Sequence, residues 1–198
     1  MMRHILLAAA VTLGCTANAS ETHAAPKPAT ANGPREVAIL AGGCFWGMEN
    51  VLLAAPGIVS IDVGYAGGAS KSATYDEVSE GTTGHAESVR VTFDPSVLSY
   101  EDLLVHWYFR GHNPTTLDRQ NNDIGTQYRS EIFTLSPAQA KAAASAKERV
   151  NRSGKWGFPV VTKIEPATTW VRAEDYHQDY LVKHPTGYND HFLRSFDF

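Results

Sequence analysis

The chain has 198 residues, 43% hydrophobic and 19% charged, with a formal net charge of −4, an ordinary composition for a soluble globular protein. No basic run would track a phosphate backbone, which argues against nucleic-acid binding. No apolar stretch approaches the roughly 20 residues that a membrane-spanning helix needs.

The first residues read as a targeting segment. Arg3 and His4 make a weakly basic start, Ile5 to Gly14 is an apolar run, and Ala17-Asn18-Ala19 supplies a small-x-small cleavage pattern. Cleavage after Ala19 and export to the periplasm are expected. A lipoprotein reading competes, because Leu13-Gly14-Cys15 resembles the end of a lipobox, although Thr12 stands where Leu is usual. Residues 20–35, rich in Ala, Pro and small polar side chains, read as a flexible tether. From Glu36 to Phe198 there is no second linker, low-complexity tract or repeat, and about 160 residues is a normal single domain. The chain carries two cysteines, Cys15 and Cys44. With the leader removed Cys44 stands alone, which rules out an internal disulfide and any multi-thiolate metal site.

In chain order, Val37 to Ala41 is a short apolar strand broken by Gly42-Gly43, and Cys44 to Ala55 is a helix stopped by Pro56-Gly57. Ile58 to Tyr65 is a strand, and Glu87 to Phe93 alternates most cleanly of all. Ser99 caps a helix whose Leu103, Leu104, Trp107 and Tyr108 share a face. Tyr128 to Leu135 is strand-like, and Ser136-Pro137-Ala138-Gln139 is a capping-box start for an Ala-rich helix running to about Asn151. Val160 to Ile164 predicts another strand and Ala173 to Lys183 a last helix. Mixed strands and helices in this order point to an α+β, two-layer α/β sandwich. The intervals Lys71 to Gly84 and Gly111 to Gln127 are long and without regular pattern, and long ordered loops in a compact domain are usually functional.

The sharpest local feature is Ala41-Gly42-Gly43-Cys44-Phe45-Trp46-Gly47, a strand end followed by a helix start. A thiol there faces free backbone N–H groups and the positive end of the helix dipole, which favour a thiolate and lower its pKa. The plain alternative is a buried, inert Cys. Either one of Phe45 and Trp46 packs and the other is simply exposed, or the two form an aromatic wall that holds a methyl-sized group. Glu87 shares parity with Val89, Val91 and Phe93, so it ends an apolar row. Desolvation there raises its pKa and makes it a proton donor near neutrality, unless the strand begins at Ser88. Tyr75 and Tyr128, in the long loops, can bond a substrate oxygen or simply pack. The eight histidines show no metal spacing, and His85, His112 and His177 read first as structural polar groups.

Gly43-Cys44-Phe45-Trp46-Gly47 resembles the signature of peptide methionine sulfoxide reductases of the A type. The resemblance extends over most of residues 36–185 through Gly64-Tyr65-Ala66-Gly67-Gly68, Tyr75, Gly84-His85-Ala86-Glu87, Gly111-His112-Asn113-Pro114-Thr115-Thr116, Asp123-Ile124-Gly125-Thr126-Gln127-Tyr128-Arg129-Ser130 and Glu174-Asp175-Tyr176-His177-Gln178. It implies an α+β fold, with a ferredoxin-like plait core and extra loops, that carries the catalytic Cys44 at a helix N-terminus. It further implies a methyl pocket of Phe45 and Trp46, hydrogen bonds from Glu87, Tyr75 and Tyr128 to the sulfoxide oxygen, and a role for Asp123 in binding the substrate backbone. The implied activity is reduction of the S epimer of methionine sulfoxide, free or in oxidised proteins, through a Cys44 sulfenic acid and without metal or redox cofactor.

Many such relatives carry a resolving Cys after Gly-Tyr near the C-terminus. Here Gly187-Tyr188 is followed by Asn189 and the tail has no Cys, so an external thiol, such as a thioredoxin- or glutaredoxin-like donor, is expected to reduce the sulfenic acid. A monomer without a membrane span is expected. Two other classes compete: an acyl-transferring Cys hydrolase with a His base, and a non-catalytic binding module anchored through Cys15. The first lacks the G-x-nucleophile-x-G spacing, and the second leaves the Gly, aromatic and Glu cluster around one thiol without a reason.

Overall fold

The computed structural model describes residues 33–198. The leader, its cleavage point, Cys15 and all but the last three residues of the tether lie outside the described residues. Gly33 to Arg35 belong to no regular element.

Alternating burial builds the centre. Strand β1 (Glu36–Gly42) places Ala38 and Leu40 on one face and Ile39 and Ala41 on the other, all of them buried. Helix α1 (Phe45–Leu53) follows, then strand β2 (Ile58–Ala66) and strand β3 (Ala86–Phe93), with Val89, Val91 and Phe93 facing the core as their parity predicts. Strand β6 (Ser130–Thr134) pairs antiparallel to β1, and β1 pairs antiparallel to β3, which pairs antiparallel to β2. Two further strands extend the edges, β7 (Lys163–Pro166) parallel to β6 and β8 (Trp170–Arg172) antiparallel to β2. A two-stranded hairpin, β4 (Arg119–Gln120) with β5 (Asp123–Ile124), stands apart from the main sheet.

One face of the sheet is covered by helices. Phe45, Met48 and Leu52 of α1 join Ala143, Ala146 and Val150 of α5 (Pro137–Ser153) in the main core. The chain's small residues let α5 approach the sheet closely, and burying this much apolar area is the main drive for folding. On the other face Ile39, Ala41, Ala66, Ala86 and Phe133 form a smaller cluster against Ala167 and Trp170. The architecture is α+β.

Four sequence expectations change. The helix after Ser99 is an α turn, α3 (Tyr100–Asp102), a π-helical stretch (Leu103–Tyr108) and a last α turn, α4 (Phe109–Gly111). The wider π register buries Val105 and Phe109 and leaves Trp107 half-exposed. Lys71 to Gly84 contains a short helix, α2 (Tyr75–Ser79), closed by a capping box between Thr74 and Glu77. The predicted strand over Val160 to Ile164 starts only at Lys163. Val161 N–H donates to Pro114 O instead, and Thr162 bonds Ser130 through its hydroxyl. The predicted helix from Ala173 to Lys183 is helical only in α6 (Tyr180–Lys183). Before it, the Gln178 amide bonds both Val63 N–H and Val63 O, and Asp179 turns through a left-handed φ of 53°. Those two features fix a loop where periodicity alone reads a helix.

Candidate active site

The site begins where β1 runs out. Gly43 has φ +96°, a conformation open to glycine, and a Cβ there would run into Gln120. At Gly42 a Cβ would stand 2.9 Å from the His112 ring. The two glycines therefore let the chain turn tightly between His112 and Gln120 and deliver Cys44 as the N-cap of α1. Cys44 is 7% exposed.

Its electrostatics differ from the sequence expectation. Burial pushes the thiol well above its ordinary range, with the Glu87 carboxyl adding to the push, while the backbone N–H groups of Trp46 and Gly47 pull the other way. The helix start is present as predicted, but desolvation outweighs it in the free protein, so the resting group is a neutral thiol.

Glu87 lies on β3 opposite Tyr65 of β2 and is 2% exposed. Its Oε2 accepts from the Phe45 N–H at 3.0 Å, so the carboxyl is tied to the residue next to Cys44. Burial raises its pKa to about 8, the charges of Asp123 and Asp190 add to that, and the Phe45 N–H opposes it. Glu87 is therefore mostly protonated at neutral pH.

The remaining predicted residues converge on this pair. Tyr75 opens α2 and is half-buried; its N–H donates to Glu174 Oε1 at 2.9 Å, and its ring lies 4.6 Å from that of His177. Tyr128 ends a 3₁₀ turn (Thr126–Tyr128). Burial first, then the charge of Glu87, raises the pKa of both hydroxyls, so both are donors throughout the neutral range. Phe45 is buried against Tyr65 and His177. Trp46, half-exposed, stacks on Tyr180 at 3.7 Å and donates from Nε1 to His177 Nδ1 at 3.1 Å. Asp123, on β5, accepts from the Tyr188 hydroxyl at 3.1 Å, and its other oxygen is buried without a hydrogen-bond partner. Burial and the nearby Asp190 raise its pKa.

Several neighbours were missed in the sequence. The Tyr65 hydroxyl donates to Glu174 Oε2 at 2.8 Å, so Glu174 ties β2 to the start of α2. Glu49, one turn along α1 and buried, accepts from Asp179 N–H at 3.2 Å and thereby fixes the approach to Tyr180. Asp190 and His191 come in from the C-terminal tail. No spacing rule connects these residues to Cys44; only the capping and turn chemistry around them could have hinted at order.

The histidines are committed elsewhere. His112 is fully buried, bonded to Tyr108 O at 2.8 Å and to Ser130 Oγ at 2.7 Å, and burial drives its pKa down to about 3. His177 receives the Trp46 indole N–H, and His191 bonds Gly42 O. None of these three is hydrogen-bonded to Cys44. Among the described residues there is no group of His, Cys, Asp or Glu arranged to hold a metal ion, and no helix is long and apolar enough to cross a membrane. The arrangement combines a thiol at a helix start, a protonated carboxyl tied to the adjacent residue, two phenols and an aromatic wall. It can offer a nucleophile to an electrophilic centre and hydrogen to an oxygen on it.

Comparison with known proteins agrees. Residues 36–196 match the family described as peptide methionine sulfoxide reductase. The chain is 49% identical over 152 residues to "Peptide methionine sulfoxide reductase MsrA" of Methanoculleus marisnigri, covering 77% of this chain and 92% of that one. Among solved structures, Mxr1 from Saccharomyces cerevisiae in reduced form is 40% identical with a TM-score of 0.77, covering 81% of this chain and 93% of that one. Mxr1 in complex with Trx2 is also similar, at 30% identity and a TM-score of 0.56, covering 84% of this chain and 96% of that one.

Proposed function

The chain belongs to the peptide methionine sulfoxide reductase family, and from that premise we propose how its own residues carry the reaction. The enzyme reduces the S epimer of methionine sulfoxide to methionine. Cys44 gives up its proton as it attacks the electrophilic sulfoxide sulfur, and that proton replaces the one Glu87 passes to the oxygen. Negative charge grows on the sulfoxide oxygen, which receives a proton from Glu87 and hydrogen bonds from Tyr75 and Tyr128. The substrate's sulfur–oxygen bond breaks, the oxygen ends on the Cys44 sulfur, and thiol plus sulfoxide become sulfenic acid plus methionine. The N–H groups of Trp46 and Gly47 stabilise the thiolate as it attacks. Phe45 and Trp46 receive the methyl group and Asp123 binds the substrate backbone.

The observation that carries this reading is the 3.0 Å bond from Phe45 N–H to the buried Glu87 carboxyl, which holds a proton donor beside the nucleophile's own helix turn. A dithiol then returns the enzyme to its start: two thiols give a disulfide and water, and Cys44 regains its hydrogen. We assign this step to a thioredoxin- or glutaredoxin-like donor. Asn189 follows Gly187-Tyr188 where a resolving Cys would stand, and the complex of Mxr1 with Trx2 supports such a partner. We also read the strand order β6-β1-β3-β2 as a ferredoxin-like plait, residues 36–198 as one catalytic domain and a monomer, and the leader as an export signal to the periplasm, with anchoring through Cys15 the alternative. The intact mass of the exported protein separates those two.

The test is stereospecific turnover. Purified protein with dithiothreitol is given each epimer of a methionine sulfoxide peptide, with Cys44→Ser as control. Turnover of the S epimer alone, lost in the control, is expected. Turnover of the R epimer alone, or by the control, would sink the assignment.

A further inference from the structure

The C-terminal tail folds back over the first turn of α1, and His191 is the residue it inserts. His191 is 5% exposed. Its Nε2 donates to the Gly42 carbonyl oxygen at 2.7 Å. Its Nδ1 lies 2.7 Å from Asp190 Oδ1, a close contact without hydrogen-bond alignment. A Cβ at Gly47 would overlap His191 Nδ1, and one at Gly43 would stand 3.0 Å from its Cε1. The imidazole therefore rests on the glycines on both sides of Cys44, and these glycines exist in part to admit it. On its other side, Gly42 meets His112, so the turn is gripped between two rings.

The grip is itself anchored. Asn189 Oδ1 accepts from His191 N–H at 3.0 Å, and Asn121, beside the β4–β5 hairpin, donates to Asp190 O at 2.8 Å. Beyond His191, Arg194 donates to Gly111 O at 2.9 Å and Arg110 donates to Arg194 O at 2.6 Å. The titratable groups that face this pair are Asp123, Tyr188, His112 and Arg194, with Glu87 across the site.

We propose that the Asp190–His191 pair is a positioning element of this active site, in which His191 holds the Gly42–Gly43 turn that presents Cys44 and Asp190 orients His191. The proposal rests on the assignment of Cys44 and Glu87 made above. Two consequences follow from the contacts. Losing the donor to Gly42 O frees the turn and displaces the thiol, an effect on the chemical step more than on binding. Losing the Asp190 charge removes part of what keeps Glu87 protonated. These residues act through Gly42 and Glu87 and do not touch substrate.

The experiment compares the full chain with His191→Leu, His191→Gln and Asp190→Asn, using an S-sulfoxide peptide and dithiothreitol across the pH range, with melting temperatures in parallel. His191→Leu should lower kcat by about tenfold or more, with KM within about threefold. His191→Gln keeps an N–H for Gly42 O and should recover kcat to within about threefold of the parent. Asp190→Asn should move the alkaline limb of kcat/KM to lower pH. A parental kcat in His191→Leu, a glutamine variant as slow as the leucine one, or an unmoved limb in Asp190→Asn would each overturn the proposal. If the leucine variant fails to fold, the glutamine and Asp190→Asn arms decide. A parent inert toward sulfoxide would instead sink the assignment beneath it.

Discussion

Replacing Glu87 by Gln should remove a proton donor and, at the same time, a penalty on folding at high pH. The carboxyl is fully buried, and its pKa stands at about 8 against an ordinary 4.5. Between those values the folded state holds a proton that the unfolded chain has released. Stability attached to this group is therefore greatest at low pH and declines as pH rises toward about 8. Between about pH 5.5 and about pH 8.5 the loss amounts to about 3 kcal/mol at most. Gln has the same shape, can still accept the Phe45 N–H, and does not titrate. Urea unfolding at the two pH values should show the parent losing about that much and the variant lacking this part of the loss. Glu49, raised to about 7 by burial and not by the Glu87 charge, contributes equally to both proteins and cancels in the difference. In single-turnover assays, which need no reductant, the variant should be slower by about 100-fold, and the parent's decline above about pH 8 should be absent. Identical pH slopes of stability in parent and variant would refute the picture of a protonated, buried Glu87.

Two further substitutions probe the walls of the site. Trp46→Phe loses the indole bond to His177 and weakens the stack on Tyr180. Steady-state assays should show KM raised by about tenfold, with kcat changed far less; the reverse pattern would contradict a binding role. Gly47→Ala places a methyl where His191 and Asn189 lie. It should cost about 1–3 kcal/mol by overpacking and lower the melting temperature by several degrees, and an unchanged melting temperature would mean that the tail does not seat on α1.

How far the sequence foretold this can be traced residue by residue. The break at Gly42-Gly43 and the aromatic run after it located the start of α1 within one residue, because local turn chemistry decides such boundaries. The alternation from Glu87 to Phe93 gave β3 its buried face, because a period of two leaves little choice. What sequence could not supply was the balance of opposing effects. Cys44 sits where a helix favours a thiolate, yet burial wins, and burial depends on Gln120, His191 and the rest of the tail closing over the turn. Local periodicity also failed wherever a distant partner claimed the backbone, as the Val63 carbonyl does at Ala173 N–H and the Pro114 carbonyl does at Val161 N–H. Glu174, His177, Asp190 and His191 reach the site through such contacts, which carry no sequence period. The Thr74-x-x-Glu77 box was readable and marks α2.

The most direct test of the account uses no reductant at all. The protein is mixed with excess S-sulfoxide peptide, and methionine release and the mass of the Cys44 peptide are followed together. The account predicts one methionine per enzyme, formed as Cys44 gains the mass of a single oxygen atom, or the adduct of a sulfenic acid trap when one is present. Methionine released while Cys44 stays unmodified, or released equally by Cys44→Ser, would contradict it.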